Sequence, residues 1–305
     1  MNHNISNFTF KIQTFFVLGL FLLSAPFLRG QTEESADSLY VEENKQAEEP
    51  IEDKTKMVWV SLYGGSGLSQ WSYSHEAVTT EPVMAFGGGV GIHFLILGGL
   101  EISTGTGISS FSHDIKVDDF SAQLSAIDSE GEEYEKRNYA SNVVEEQEFL
   151  WLRIPLSAKY VFSPGRWGIF AEAGAEYRMP MESTFSQTGT FSHYGYYSQY
   201  DLLIDDLPSL GFYDQETKNA SGDLNPEDLI LPFVGLGVIF PGRKSHFFLE
   251  GRYYLESNDP FPEKQEVLFP GPAENQSEKF YDNPSVTQNG EVFFSGFRGV
   301  IGIRF

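Results

Sequence analysis

The chain has 305 residues, a formal charge of −23 and no cysteine, which removes disulfides, thiolate metal sites and cysteine nucleophiles from consideration. Aromatic residues make up 15% of it and glycine contributes 30 positions. Strongly acidic chains that are merely soluble or disordered tend to be poor in aromatics, so acid and apolar residues here must be segregated along the sequence.

The N-terminus starts that segregation. Met1 to Lys11 is polar, and Phe15 to Leu23 is an apolar run of h-region length, too short to cross a bilayer as a helix. Residues 1–30 read as a signal peptide, with cleavage expected after Gly30. Gln31 to Lys56 is polar and acidic, with only a brief apolar Leu39 to Val41. It cannot bury a core and is expected to be a disordered periplasmic segment. No later stretch reaches the eighteen apolar residues of a membrane helix.

Residues 57–305 read instead as strands. Period-2 segments fall at about 57–70, 83–94, 99–112, 149–162, 168–179, 230–240, 246–257 and 293–305, each long enough to span lipid when tilted. The connections alternate. Those around Leu95 to Gly98, Ser163 to Trp167 and Pro241 to Ser245 are short, and the last two carry a Pro-Gly turn signal. The others are long, and the two longest, 113–148 and 180–229, each carry a net charge of about −8. Short turns on one side and long loops on the other predict an all-β, antiparallel, up-and-down transmembrane barrel of eight strands with long extracellular loops. The polar-aromatic alternation of Thr184 to Tyr200 predicts a hairpin projecting above the membrane, or a further strand pair that would raise the count to ten.

Strand faces follow from the alternation. In the second strand Met84, Phe86, Val90, Ile92 and Phe94 share one face, while Ala85, Gly87, Gly89, Gly91 and His93 share the other. An eight-stranded barrel has room inside only for side chains, so the glycine face belongs inside and the apolar face in lipid. The same rule sends Glu101, Glu172, Glu176 and Glu250 inward to meet Arg153, Lys159, Arg178, Arg252 and Arg298. Buried charges persist only when paired, so an ion-pair network that plugs the lumen is expected.

The strand Leu152 to Phe162, LRIPLSAKYVF, resembles the "IPL...KY" strand of the PorT-like outer-membrane barrel family, and the signal peptide and turn pattern agree with it. The last strand agrees too. Phe293, Phe297, Ile301, Ile303 and Phe305 lie on one side of it, with Arg298 and Arg304 on the other. A terminal aromatic of this kind resembles the signal that outer-membrane barrels present to the barrel-assembly machinery, which makes that machinery an expected partner through Phe305. The resemblance implies a barrel in the bacterial outer membrane, in some members an accessory to secretion. Pro155 has no N–H to donate, so a bulge or a missing ladder bond is expected beside it.

Catalytic signatures are absent. Ser112 with His113, and Ser192 with His193, are sequence neighbours whose side chains point to opposite faces of an extended chain, and no G-x-S-x-G or H-E-x-x-H occurs. No catalytic residue, cofactor or nucleic-acid partner is therefore expected. Asp114, Asp118, Asp119, Asp128, Glu130, Glu132 and Glu133 supply oxygen ligands of the kind Ca²⁺ or Mg²⁺ takes, but without ordered spacing, so loose divalent binding is expected and a dedicated metal site stays unknown. The leading functional expectation is a barrel with a structural or partner-binding role, contacting outer-membrane lipid, lipopolysaccharide and an envelope protein. A small-solute pore and a lipid-modifying enzyme are the alternatives.

Overall fold

The structure, a computed structural model, describes residues 57–305 except 129, 164–166, 243, 258, 262–263, 265–267 and 270–283. The expected signal peptide and acidic segment, and the centres of the two Pro-Gly turns, lie outside the described residues.

Eight long strands form a closed ring. In chain order the strands are β1 (Val58–Tyr73), β2 (Val78–Thr80), β3 (Val83–Leu97), β4 (Leu100–Ile127), β5 (Glu133–Phe162), β6 (Gly168–Tyr197), β7 (Leu202–Ile204), β8 (Tyr213–Asp223), β9 (Leu229–Pro241), β10 (His246–Tyr254) and β11 (Val292–Arg304). The ring runs β1, β3, β4, β5, β6, β9, β10, β11 and back to β1, antiparallel throughout. Closure on β1 and β11 leaves no open edge, the condition a sheet must meet to cross lipid with its backbone satisfied. Ten spanning strands are excluded: β2, β7 and β8 are side branches paired to β4 and β6.

The expected strands all occur, but three of them are far longer than expected. β4, β5 and β6 run 28, 30 and 30 residues, whereas about 9 to 11 suffice to span a bilayer. Most of the expected loops 113–148 and 180–229 are therefore sheet: β4 and β5 pair out to Ile127↔Glu133, and β6 pairs with β5 out to Glu135↔Tyr196. Some sixteen residues beyond the membrane at about 3.3 Å each carry the β4–β5 hairpin on the order of 50 Å further along the strand. The Thr184 to Tyr200 segment forms the distal part of β6, which β8 pairs on its other side.

Two local features explain how the ring closes so tightly. A Cβ placed on Gly89 would lie 2.2 Å from Thr106 O and 2.8 Å from Tyr63 Oη, so the inward glycine face of β3 is required by crowding. At the β3–β4 turn, Gly98 and Gly99 have φ of 58° and 91°, conformations that glycine reaches at little cost. The Pro155 expectation is met by a gap on one side: β4 and β5 pair at Thr104↔Leu156 and again at Gly107↔Arg153 with the same register, and Ile154 and Pro155 have no partner on β4 though both pair with β6. Thr104 Oγ1 donates to Pro155 O at 3.0 Å and ties the strands there.

The polarity of the faces inverts along the longest strands. Within the ring the outward residues are apolar and exposed, among them Leu62, Ile92, Leu156, Leu236, Leu249 and Ile301. Inward lie Glu101, Ser103, Arg153, Lys159 and Glu172. Past Ser110 on β4, Glu148 on β5 and Met181 on β6 the pattern reverses: Ile115, Val117, Val143 and Phe191 are buried, while Asp114, Lys116, Glu146 and Thr188 face outward and are exposed. The point of reversal marks where lipid ends and water begins.

Candidate functional site

The lumen is closed by three stacked layers. Nearest the short turns, Arg304 Nη1 donates to both oxygens of Glu101 at 3.1 Å. Next, Lys159 lies 3.4 Å from Glu172 and 3.7 Å from Glu250, and Arg252 lies 2.8 Å from Glu172 and also bonds Glu250. Lys159 Nζ also sits 4.0 Å above the Phe170 ring. Further out, Arg153 and Arg178 share Glu176 at 3.3 and 2.7 Å, and Tyr254 Oη donates to the same carboxylate. Each of these side chains comes from an inward position of its strand, where period 2 and the glycine-lined walls leave room for it.

Arg298 lies inside, as expected, but outside the network: among the described residues it has no ion pair, and its buried Nη2 has no acceptor. The interior is also not polar throughout. Above the charges sits an aromatic layer in which Trp71 stacks on Phe149 with centroids 5.2 Å apart, with Phe111, Trp151, Phe233 and Phe294 around it. The lumen was expected to be filled by charge, and these rings were not foreseen there.

The third layer comes from the chain after β10. Phe261 packs on Trp71 at 6.0 Å, and Leu268, Phe269 and Val286 fill the space between the extended parts of β4, β5 and β6. One carboxylate fastens them. Glu145 accepts from Ser285 Oγ at 2.5 Å, Val286 N at 3.0 Å, Gln147 Nε2 at 2.5 Å and Gln187 Nε2 at 2.7 Å. Burial pushes its carboxyl up from the ordinary range, and these donors hold it back down. Beside it Asn138 Nδ2 donates to Phe269 O at 3.0 Å while its Oδ1 meets His193 Nδ1 at 2.9 Å. Burial, helped by Lys136 and Lys218, pushes His193 down to about 3. No sequence pattern flagged Glu145, although an acidic residue in phase with Val143 and Phe149 was the available signal.

The neighbouring residues considered for chemistry turn to separate partners. Ser192 Oγ donates to Asp214 Oδ1 at 3.0 Å and His193 turns to Asn138. Ser112 faces outward, while His113 is buried against Trp71 with ring planes 5° apart. Asp128 organises the tip of the β4–β5 hairpin: its Oδ1 accepts from the amides of Glu130 and Glu132, and Oδ2 from Tyr197 Oη at 3.1 Å. Among the described residues no three acidic or histidine side chains are grouped to hold a metal. Two small cavities of about 20 and 30 Å³ open among the charges, each room for a single water.

No protein-family model and no curated relative matches the chain. Among solved structures it is similar to the outer membrane protein OprG from Pseudomonas aeruginosa, at 9% identity over 81% of this chain and 94% of OprG, with a TM-score of 0.34. It is likewise similar to Ail, the attachment invasion locus protein of Yersinia pestis (9%, 82% and 100%, TM-score 0.29). The N-terminal β-barrel domain of Pseudomonas aeruginosa OprF aligns at 12% over 81% and 97%, with a TM-score of 0.23. At these scores the likeness carries no weight of its own. The assignment stands on the closed eight-stranded ring and on its exposed apolar belt, a surface far larger than a water-soluble monomer tolerates. The chain is an integral membrane β-barrel protein with eight spanning strands.

Proposed function

We propose that this barrel works as a closed structural or partner-binding platform rather than as a channel or an enzyme. One observation carries the reading: charge layer, aromatic layer and the Glu145-fastened cap lie in series along the lumen, so a solute would have to displace all three. Larger porin barrels conduct because their lumen is left open. The working surface is then the sheet that β4, β5, β6 and β8 raise above the membrane, whose outward carboxylates suit a basic envelope partner or divalent-bridged lipopolysaccharide. Resemblance of the Leu152 to Phe162 strand to the PorT-like family favours an accessory role in secretion. Delivery to the membrane through the assembly machinery, reading the strand that ends at Phe305, belongs to the same proposal.

Planar-bilayer recording of the refolded protein tests it. The expected result is no stable single-channel opening. Regular unitary currents would overturn the reading in favour of a small-solute pore.

A further inference from the structure

The charges inside the membrane-spanning ring do not balance. Among the described residues six cations point inward, Arg153, Lys159, Arg178, Arg252, Arg298 and Arg304, against four carboxylates, Glu101, Glu172, Glu176 and Glu250. Arg304 is matched by Glu101, and Lys159 with Arg252 by Glu172 with Glu250. The whole excess therefore falls on Arg153, Arg178 and Arg298, which have Glu176 alone among them.

Arg298 is the cation left over. Directly across from it on β10 stands Arg252, a like charge on the same face, where an opposite charge would stabilise the pair. Arg298 lines the cavity of about 30 Å³ together with Ser69, Ser109 and Arg178. Arg298 is 7% exposed, Ser69 3% and Ser109 7%, and the Nη2 of the first and the hydroxyls of the other two all lack a partner. Phe111, Phe294, Leu68 and Phe297 are among the apolar residues that line the rest of it, so the guanidinium sits in largely apolar surroundings. A guanidinium N–H and two hydroxyls thus border one void, with donors to spare and no anion to receive them. Water could satisfy the hydrogen bonds but not the charge, and an uncompensated buried charge is far more costly than an unmade hydrogen bond.

We propose that this void is a binding site for one small monovalent anion of chloride size, held by Arg298 Nη2 and the hydroxyls of Ser69 and Ser109. The anion is a built-in counter-ion of the lumen. It offsets half of the excess of two positive charges that Arg153, Arg178 and Arg298 carry over Glu176, just below the aromatic layer.

The full chain refolded in detergent provides the test, with bromide and chloride as probes. Crystals soaked in bromide should show one anomalous peak between Arg298, Ser69 and Ser109. The thermal unfolding midpoint should rise and saturate as chloride replaces methanesulfonate at fixed ionic strength. Arg298→Gln removes an unpaired charge, so it should fold in either salt, and it should lose both the peak and the chloride response. Ser69→Ala should weaken chloride binding tenfold or more, the scale of a lost charge-assisted hydrogen bond. A void holding water only in bromide, or an equal chloride response in wild type and Arg298→Gln, would overturn the site. Should Arg298→Gln fail to fold, Arg298→Lys keeps the charge without Nη2, and an unchanged chloride midpoint there would overturn it equally.

Discussion

The lower and upper halves of β4, β5 and β6 obey the same alternation with opposite sign. In the ring, Leu156 faces out and Arg153 faces in; above it, Glu146 faces out and Val143 faces in. Backbone geometry is continuous between them, so the pleat supplies two faces and the surrounding medium decides which is which. In lipid, the apolar face gains nothing by turning inward, and polar side chains must find one another inside. In water the hydrophobic effect restores the usual order, and the extension needs a filling of its own. That filling is the cap of Leu268, Phe269 and Val286.

Several substitutions break this comparison. The largest effect is expected for Phe191→Ala in the extension, where an aromatic ring edge-on to Phe269 at 5.4 Å is lost; removal of a buried Phe costs about 3 to 5 kcal/mol. The loss should show as faster hydrogen exchange at Leu268, Phe269 and Val286–Gln288 with the membrane ring unaffected, and uniform loosening of both halves would show them to be one cooperative unit. Next comes a matched pair on β5. Leu156→Arg, outward in lipid, should cost about 2 to 4 kcal/mol in urea unfolding from vesicles if it lies near the midplane, whereas Val144→Arg, outward in water, should stay within about 0.5 kcal/mol. Equal costs at the two positions would erase the boundary drawn here.

Glu145→Gln should come third. It removes a carboxylate that accepts from Ser285, Val286, Gln147 and Gln187, and a buried donor left without an acceptor costs about 1 to 3 kcal/mol. Protease cleavage within the last long loop, measured from outside intact membranes, should speed up accordingly.

Acid gives the smallest effect, because two groups in the cap oppose each other. His193 is held down to about 3 by burial, so its contribution is present above an unfolded value near 6.5 and is lost as pH falls from there toward 3. Glu145 is pushed up by burial, so its contribution is full below the ordinary Glu value and is lost as pH rises through the folded one. Between about pH 6.5 and 4.5 the two have opposite signs, and the net slope stays below the limit of about 1.4 kcal/mol per pH unit for one proton. In His193→Gln acidification over that window should tighten the cap instead, which protease protection at two pH values would reveal; loosening in the variant would assign the acid response to other groups.

Much of the ring was legible because both of its signals are local. The turns at Gly98–Gly99 and after Phe162 and Phe240 cut the chain into strands, and the glycine face of β3 told inside from outside by volume alone. The boundaries of β4, β5 and β6 were lost because the rule used to find a strand, one apolar face and one polar, changes sign past Ser110, Glu148 and Met181. A run in which the sign flips resembles a strand end followed by a loop. Arg298 was placed on the correct face and given the wrong company, since facing direction is set by parity while pairing depends on barrel stagger and on which carboxylates other cations already hold.

The sequence by itself determined the class of fold and which strand face meets lipid: alternation, turn residues and the glycine face of β3 are short-range properties, and they left open whether eight or ten strands cross. Tertiary structure alone decided what closes the lumen. Glu145 meets Ser285 and Val286 across some 140 residues, and Trp71 meets Phe149 and Phe261. Contacts of that span depend on the stagger of the closed ring and on the path of the last loop, and neither leaves a periodic trace in the chain.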